Sequence, residues 1–172
     1  MEIKAEIDFK KLKDAVKTLS QSKQIKVGLL SQKGGSEEIS DNLDLAGLGA
    51  VHEFGTDIER TSKKGKDYTI NIPARSFLEM PMVQHQADFR KKLKKLWGKD
   101  ALEHIIEKGD YLSLAIAIGQ ASVNHIQDAF DSRGFGEWQE NSPATIRQKG
   151  SDMPLIDTGN LRSHIDKEIT NG

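Results

Sequence analysis

The most regular pattern in this chain is a series of apolar and small residues that recur at intervals of four and three positions. The residues in the series are Leu112, Ile116, Gly119, Val123, Ile126 and Phe130. Because an α-helix has about 3.6 residues per turn, this spacing aligns them on one stripe and predicts a long helix. Asp110, which follows a break at Gly109, is placed to cap the N-terminus of that helix. The rest of the chain must pack around this element.

Alternating apolar and polar residues predict the β-strands. Short strands are predicted at residues 3–7, 25–29 and 161–169, and a hairpin is predicted over residues 56–72. Ser62 to Lys66 form the tip of that hairpin, and Tyr68, Ile70 and Ile72 form one face of its returning strand. Pro73 ends the hairpin because proline cannot donate to a ladder of backbone hydrogen bonds.

Shorter helices are predicted between these strands. One is predicted after Asp8, a second over Leu45–Phe54, a third over Met82–Trp97, and a last short one that begins at Ser142-Pro143. Gly55 is well placed to stop the second of these helices. The sum is an α+β fold, in which a small, mainly antiparallel β-sheet packs against one long helix and shorter helices.

The length of 172 residues suits a single domain that spans residues 1–172. Polar, glycine-containing stretches predict mobile loops near residues 31–44, 61–67 and 131–153. The chain contains no cysteine, which excludes disulfides and cysteine-ligated zinc and fits assembly in a reducing cytoplasm. The N-terminal stretch lacks the apolar core of a signal peptide, and no apolar run approaches the roughly 20 residues of a membrane span, so we expect no membrane partner.

Short patterns that match catalytic or metal-binding motifs are all weak. The histidines lack the i, i+4 spacing of two metal ligands on one helix face, and His52-Glu53 does not continue into HExxH. Ser20 to Lys23 matches SxxK by letters alone. Gly47-Leu48-Gly49 lacks the third glycine of a dinucleotide loop, because His52 stands in its place. We therefore expect no catalytic residue, no cofactor and no resident metal.

Positive charge is concentrated on one predicted helix. The residues are Arg90, Lys91, Lys92, Lys94, Lys95 and Lys99, with no acidic residue between positions 90 and 99. Such a face is able to bind phosphates without reading a base sequence. The other interpretation is a solvated helix surface, since Leu93, Leu96 and Trp97 form the apolar stripe of the same helix.

Four short signatures follow one another along the chain. They are Val27-Gly28-Leu29, the segment AVHEFGT at residues 50–56, the segment IPARSFL at residues 72–78 and, after Trp138, the segment PLIDTGNLRS at residues 154–163. In this order they resemble the virion-morphogenesis and tail-completion proteins of tailed bacteriophages, the group typified by the G protein of phage Mu and its siphophage relatives. The resemblance covers about residues 25 to 165. Ser76 stands where that family usually has proline, and the charged loop at Lys63–Lys66 is not part of the pattern.

The residues that carry the resemblance have structural interpretations. They are Gly28, Glu53, Phe54, Gly55, Thr56, Pro73, Arg75, Phe77, Trp138, Leu155, Thr158, Gly159 and Leu161. Gly55 permits a left-handed backbone after the helix. Glu53 lies close to that turn, where it is placed to accept from the amides of the turn or to pair with Arg75. Thr158-Gly159 predicts a tight turn, after which Leu161 re-enters the core.

The resemblance implies a non-catalytic structural protein that completes the phage tail or joins it to the head. It implies a place in the tail or neck of the virion, reached after assembly in the host cytoplasm. The implied partners are tail-tube, connector or neck proteins and further copies of the same chain, with non-specific contact to passing DNA. Two alternatives stay open: a nucleic-acid-binding module that uses the basic helix face at residues 90–99, and an enzyme with a polar cluster in a pocket.

Overall fold

The structure of the chain is a computed structural model that describes residues 13–14, 17–18, 23–30, 35–36, 38–40, 43–96 and 107–172. The strand predicted at residues 3–7 and most of the helix predicted after Asp8 lie outside the described residues. Trp97 and Lys99 lie outside them too.

The described residues include six strands and six helices. The elements are β1 (Lys23–Leu29), β2 (Glu38–Ser40), β3 (Leu43–Asp44), α1 (Leu45–Phe54), β4 (Thr56–Thr61), β5 (Asp67–Ile72), α2 (Glu79–Val83), α3 (Gln86–Leu96), α4 (Tyr111–Asp131), α5 (Pro143–Lys149), α6 (Asn160–Ser163) and β6 (Ile165–Asn171). The strands make three antiparallel pairs, β1–β6, β2–β3 and β4–β5. The α+β prediction is confirmed, with its strands distributed over three small ribbons.

Helix α4 is the long helix predicted from the apolar spacing, and its N-terminus is capped by Asp110, whose carboxylate accepts from the Ser113 amide at 3.1 Å. The predicted stripe is buried from Gly119 onward, whereas Leu112 and Ile116 are exposed. In the first two turns Leu114 and Ala115 are buried instead, against residues of β1 and β6. The position of the β1–β6 ribbon therefore decides which face of α4 is covered.

The main core lies where the C-terminal half of α4 meets α1, α2 and the start of β6. Its buried residues are Leu45, Phe77, Met80, Val123, Ile126, Ala129, Phe130, Trp138, Leu161 and Ile165. Phe77 and Leu161 enter this core as predicted. Gly28 lies on β1, and its α-carbon faces the side chain of Leu78.

The chain turns out of α1 at Gly55, as the sequence predicts. The backbone there has φ = 70°, and a β-carbon would lie 2.7 Å from the Ala74 nitrogen. Both the left-handed conformation and the close approach of the 73–75 backbone therefore require glycine. Strand β4 starts at the next residue.

Strands β4 and β5 form a hairpin that we call the arm, residues 56–72. Ile58 pairs with Ile70 and Arg60 pairs with Tyr68 across the two strands. Every arm residue is exposed apart from Ile58, Ser62 and Ile72, which are half-buried. The arm therefore projects from the body of the protein.

Two of the three loops that were predicted to be mobile carry regular hydrogen bonding. At the tip of the arm, the Ser62 amide donates to the Lys66 carbonyl at 2.8 Å. The stretch 131–153 contains α5, which is capped by Ser142 as predicted. The stretch 31–44 includes β2 and β3, and its residues 31–34, 37 and 41–42 lie outside the described part. Mobility itself stays a prediction for all three.

The helical stretch predicted over Met82–Trp97 is divided into α2 and α3. The amides of Gln84 and His85 both donate to the Met80 carbonyl, which ends α2 before α3 begins at Gln86. The last strand, predicted over residues 161–169, is wrong at its start, because residues Asn160–Ser163 form helix α6 and β6 begins at Ile165.

A substitution at Gly159 tests the turn before α6. Gly159 has φ = 81°, and no atom lies within 4 Å of a β-carbon placed on it. We expect Gly159→Ala to lower the free energy of unfolding by about 1 to 2 kcal/mol through backbone strain alone. Gly159→Asn should lower it less, because asparagine tolerates this conformation. Urea denaturation measures both variants, and an Ala variant as stable as the native chain would contradict the left-handed turn.

Candidate functional site

The centre of the site is the carboxylate of Glu53, which lies in the last turn of α1 and is only 6% exposed. It accepts four hydrogen bonds, from the Ser76 hydroxyl at 2.6 Å and from the amides of Phe77 (2.7 Å), Leu78 (2.9 Å) and Glu79 (3.0 Å). These amides precede and begin α2 and have no helical partners of their own. Glu53 therefore caps α2 from a different helix.

Arg75 joins three segments of the chain. Its amide donates to the His52 carbonyl at 2.7 Å, and its guanidinium donates to the carbonyls of Gln139 at 2.8 Å and Glu140 at 3.0 Å. The sequence predicts that Glu53 accepts from the amides of the turn at Gly55 or pairs with Arg75, and both alternatives are wrong. The oxygens of Glu53 are occupied by donors at residues 76–79, and the guanidinium is directed at backbone carbonyls.

Trp138 closes the site from the loop after α4. Its indole nitrogen donates to the Ser76 carbonyl at 3.0 Å. Its ring packs edge-on against Phe130, at 5.7 Å between centroids, and Phe130 packs at 5.2 Å from Phe77. We call Glu53, Arg75, Ser76, Phe77 and Trp138 the junction.

Ser76 and Asn141 were not predicted as site residues. Besides donating to Glu53, the Ser76 hydroxyl accepts from the Met80 amide at 2.9 Å. The spacing Ser76-x-x-Glu79, which is typical of a helix N-terminus, is the signal that could have found it. Asn141 is buried and donates to the carbonyls of Asp152 and Met153, both at 3.1 Å. No local pattern marks that side chain.

A cleft of about 850 Å³ opens beside the junction, between the base of the arm and helices α1, α5 and α6. The residues with a predicted site role that line it are Pro73, Arg75, Leu155, Thr158, Gly159 and Leu161. Phe54 and Thr56 are exposed, and Phe54 has 74% of its surface accessible. Successive side chains on an α-helix are about 100° apart, so Phe54 lies on a different face of α1 from the buried Glu53.

One wall of the cleft carries basic groups. His52, Arg75 and Lys149 line it, and Lys149 donates to the Met153 carbonyl at 2.8 Å. Burial, followed by the charges of Arg75 and Lys149, lowers the pKa of His52. Burial also lowers the pKa of Lys149, against the opposing effect of Asp157. Because Glu140 and Asp157 line the same cleft, it has no single sign of charge.

Each polar side chain of the junction is hydrogen-bonded to at least one backbone group. In the cleft, the close hydroxyl pair is Ser142 and Thr145, 2.9 Å apart at the cap of α5. Among the residues that the structure describes, no group of three potential metal-ligating side chains is found. None of the described helices is long and apolar enough to cross a membrane.

Four of the five described basic residues on α3 are exposed and Lys92 is half-buried, and three of the five contact other side chains. Arg90 donates to Gln86 at 2.7 Å, and Lys91 pairs with Asp88 at 2.9 Å. Lys92 turns inward and contacts Asp128 and His125. Lys94 and Lys95 are exposed. The face is thus a weaker phosphate-binding surface than its sequence indicates.

Comparison of the chain with protein-family models, curated proteins and solved structures finds no match.

Replacing Glu53 by glutamine tests the junction. The amide group keeps the shape of the side chain but turns one acceptor oxygen into a donor that faces backbone N–H groups. We expect Glu53→Gln to lower the free energy of unfolding by about 2 to 3 kcal/mol, measured by urea denaturation. Glu79→Gln is the matched control, because the Glu79 side chain is exposed, and it should change stability by less than about 0.5 kcal/mol. Equal effects of the two variants would show that Glu53 is not the cap.

The buried His125 makes stability depend on pH. Its Nε2 lies 3.0 Å from the Pro81 carbonyl, and its Nδ1 lies 3.1 Å from the Lys92 ammonium. A carbonyl only accepts and an ammonium only donates, so the ring is neutral with its proton on Nε2. Burial first, and then the Lys92 charge, lowers the pKa of His125 below its ordinary 6.5.

As the pH falls, His125 therefore takes up a proton at a higher pH in the unfolded chain than in the folded chain. The stability that is present above pH 6.5 is lost as the pH falls below this value. We expect the melting temperature to drop between about pH 7.5 and 5.5. In His125→Gln the drop should be smaller, with His52 supplying part of the remainder. Thermal melts followed by circular dichroism measure both, and identical pH profiles would contradict the neutral ring.

Proposed function

We propose that this chain is a non-catalytic structural protein of a tailed-phage virion that acts in tail completion or head–tail joining. The observation that carries the proposal is the convergence of the segments on which the resemblance rests. Glu53, the 73–78 segment and Trp138 meet in the junction, and the 154–161 segment lines the adjoining cleft. Residues that are far apart in sequence therefore form one structural unit.

The chemistry of the junction supports a structural role over a catalytic one. A reaction site needs a polar group that is free to meet a substrate. In the junction, Glu53 is occupied by four donors, Arg75 by two carbonyls and Trp138 by one. These bonds fix how the arm, α1 and the loop after α4 meet.

The exposed apolar side chains support contacts between subunits. Phe54 lies at the base of the arm, and Tyr68 and Ile70 lie on one face of it, with exposed fractions of 74%, 49% and 41%. Exposed apolar patches mark interaction surfaces. We infer that these exposed side chains contact another copy of the chain or a tail-tube, connector or neck protein. Repeated copies that meet head to tail close into a ring when their rotation allows it.

Electron microscopy of the phage tests this function. A stop codon at Trp97 in the source phage or prophage removes the second half of the chain. We expect lysates with full heads beside separate tails if the protein joins the two, and tails of uncontrolled length if it terminates the tail. A plasmid that supplies the native chain should restore infectious particles. Intact, infectious virions from the stop-codon phage would overturn the structural assignment.

A further inference from the structure

The tip of the arm holds a second concentration of positive charge, besides the one on α3. Residues 60–66 contain Arg60, Lys63, Lys64 and Lys66 and no acidic residue, which is a charge of +4. The whole chain has a formal net charge of −1, so the remaining residues together carry −5. The tip is therefore a local positive region on a chain whose net charge is slightly negative, and a polyanion is attracted to such a region.

The four cations are free of partners within the described part of the chain. Each of their side chains is exposed, and none makes a hydrogen bond or an ion pair with a described residue. Two carboxylates flank the tip, Glu59 before Arg60 and Asp67 after Lys66, and Asp67 accepts from the Thr61 hydroxyl at 2.8 Å. On α3, by contrast, Lys91 and Lys92 are paired with aspartates.

The shape of the tip presents these charges together. The turn is closed by the bond from the Ser62 amide to the Lys66 carbonyl at 2.8 Å and by the bond from the Lys66 amide to the Ser62 hydroxyl at 3.0 Å. Strands β4 and β5 have six residues each, so the ribbon holds the tip about 20 Å from its base. A two-stranded ribbon is narrow enough to enter the major groove of duplex DNA.

We propose that the tip of the arm is a DNA-binding site that contacts the phosphates of duplex DNA without reading the base sequence. Arg60 and the three lysines neutralise phosphates on either side of the groove. This places DNA contact on the arm and not on the α3 face. The proposal stands apart from the assembly role, because the purified chain is sufficient to test it.

The test is fluorescence anisotropy of a labelled 20-base-pair duplex titrated with the full chain at 50 and 200 mM salt. Four phosphate contacts predict that affinity falls about 150-fold between these salt concentrations. In the variant Lys63→Gln/Lys64→Gln/Lys66→Gln, only Arg60 remains, and the fall should be about 3- to 4-fold from a much weaker starting affinity.

The matched control is Arg90→Gln/Lys94→Gln/Lys95→Gln, which removes the same charge from the exposed part of α3. We expect it to bind DNA as the native chain does. A native chain that does not bind at 50 mM salt, or binding that is lost with the α3 substitutions and kept with the tip substitutions, would overturn the proposal. If the tip variant fails to support virion assembly while the native chain binds no DNA, the tip faces an acidic protein surface instead, and the DNA site is refuted.

Discussion

The architecture depends on one buried carboxylate. Glu53 reaches from the end of α1 to the start of α2 and accepts three consecutive amides and a hydroxyl. Burying a charge costs free energy unless hydrogen bonds replace those that it made to water. Here all four hydrogen bonds come from residues 76–79, which the fold must place beside Glu53. The arm leaves the body just after Glu53 and returns just before Ser76. The same carboxylate therefore holds together the two ends of the arm.

Arg75 completes this arrangement without pairing with Glu53. Each of the two buried side chains is satisfied mainly by backbone groups, so each fixes the path of the chain and neither depends on the other. Arg75 binds consecutive carbonyls, those of Gln139 and Glu140, with the planar fork of its guanidinium. That contact brings the loop after α4 against the base of the arm, where Trp138 then packs on the aromatic core.

Much of the fold follows from local patterns in the sequence. The spacing from Leu112 to Phe130 predicted α4, the alternation at Ile25–Leu29 predicted β1, and Gly55 and Pro73 bounded the hairpin. These signals are short-range and physical. The residues of the junction other than Ser76 were predicted, but their contacts were not, because the partners of Glu53 and Arg75 are far away in sequence and backbone groups leave no mark on residue type. The sequence also does not predict the contact between Lys92 and Asp128, because a run of lysines has the same pattern whether its side chains face water or an aspartate.

Among the residues that the structure describes, the strands of the arm pair only with each other. Adding one residue to each of β4 and β5 therefore lengthens the arm by about 3.3 Å and leaves the core unchanged. A single added pair also exchanges the two faces of the ribbon beyond it, whereas two pairs restore them. The length of the arm is thus a dimension that can change in steps of two residue pairs while the body keeps its size.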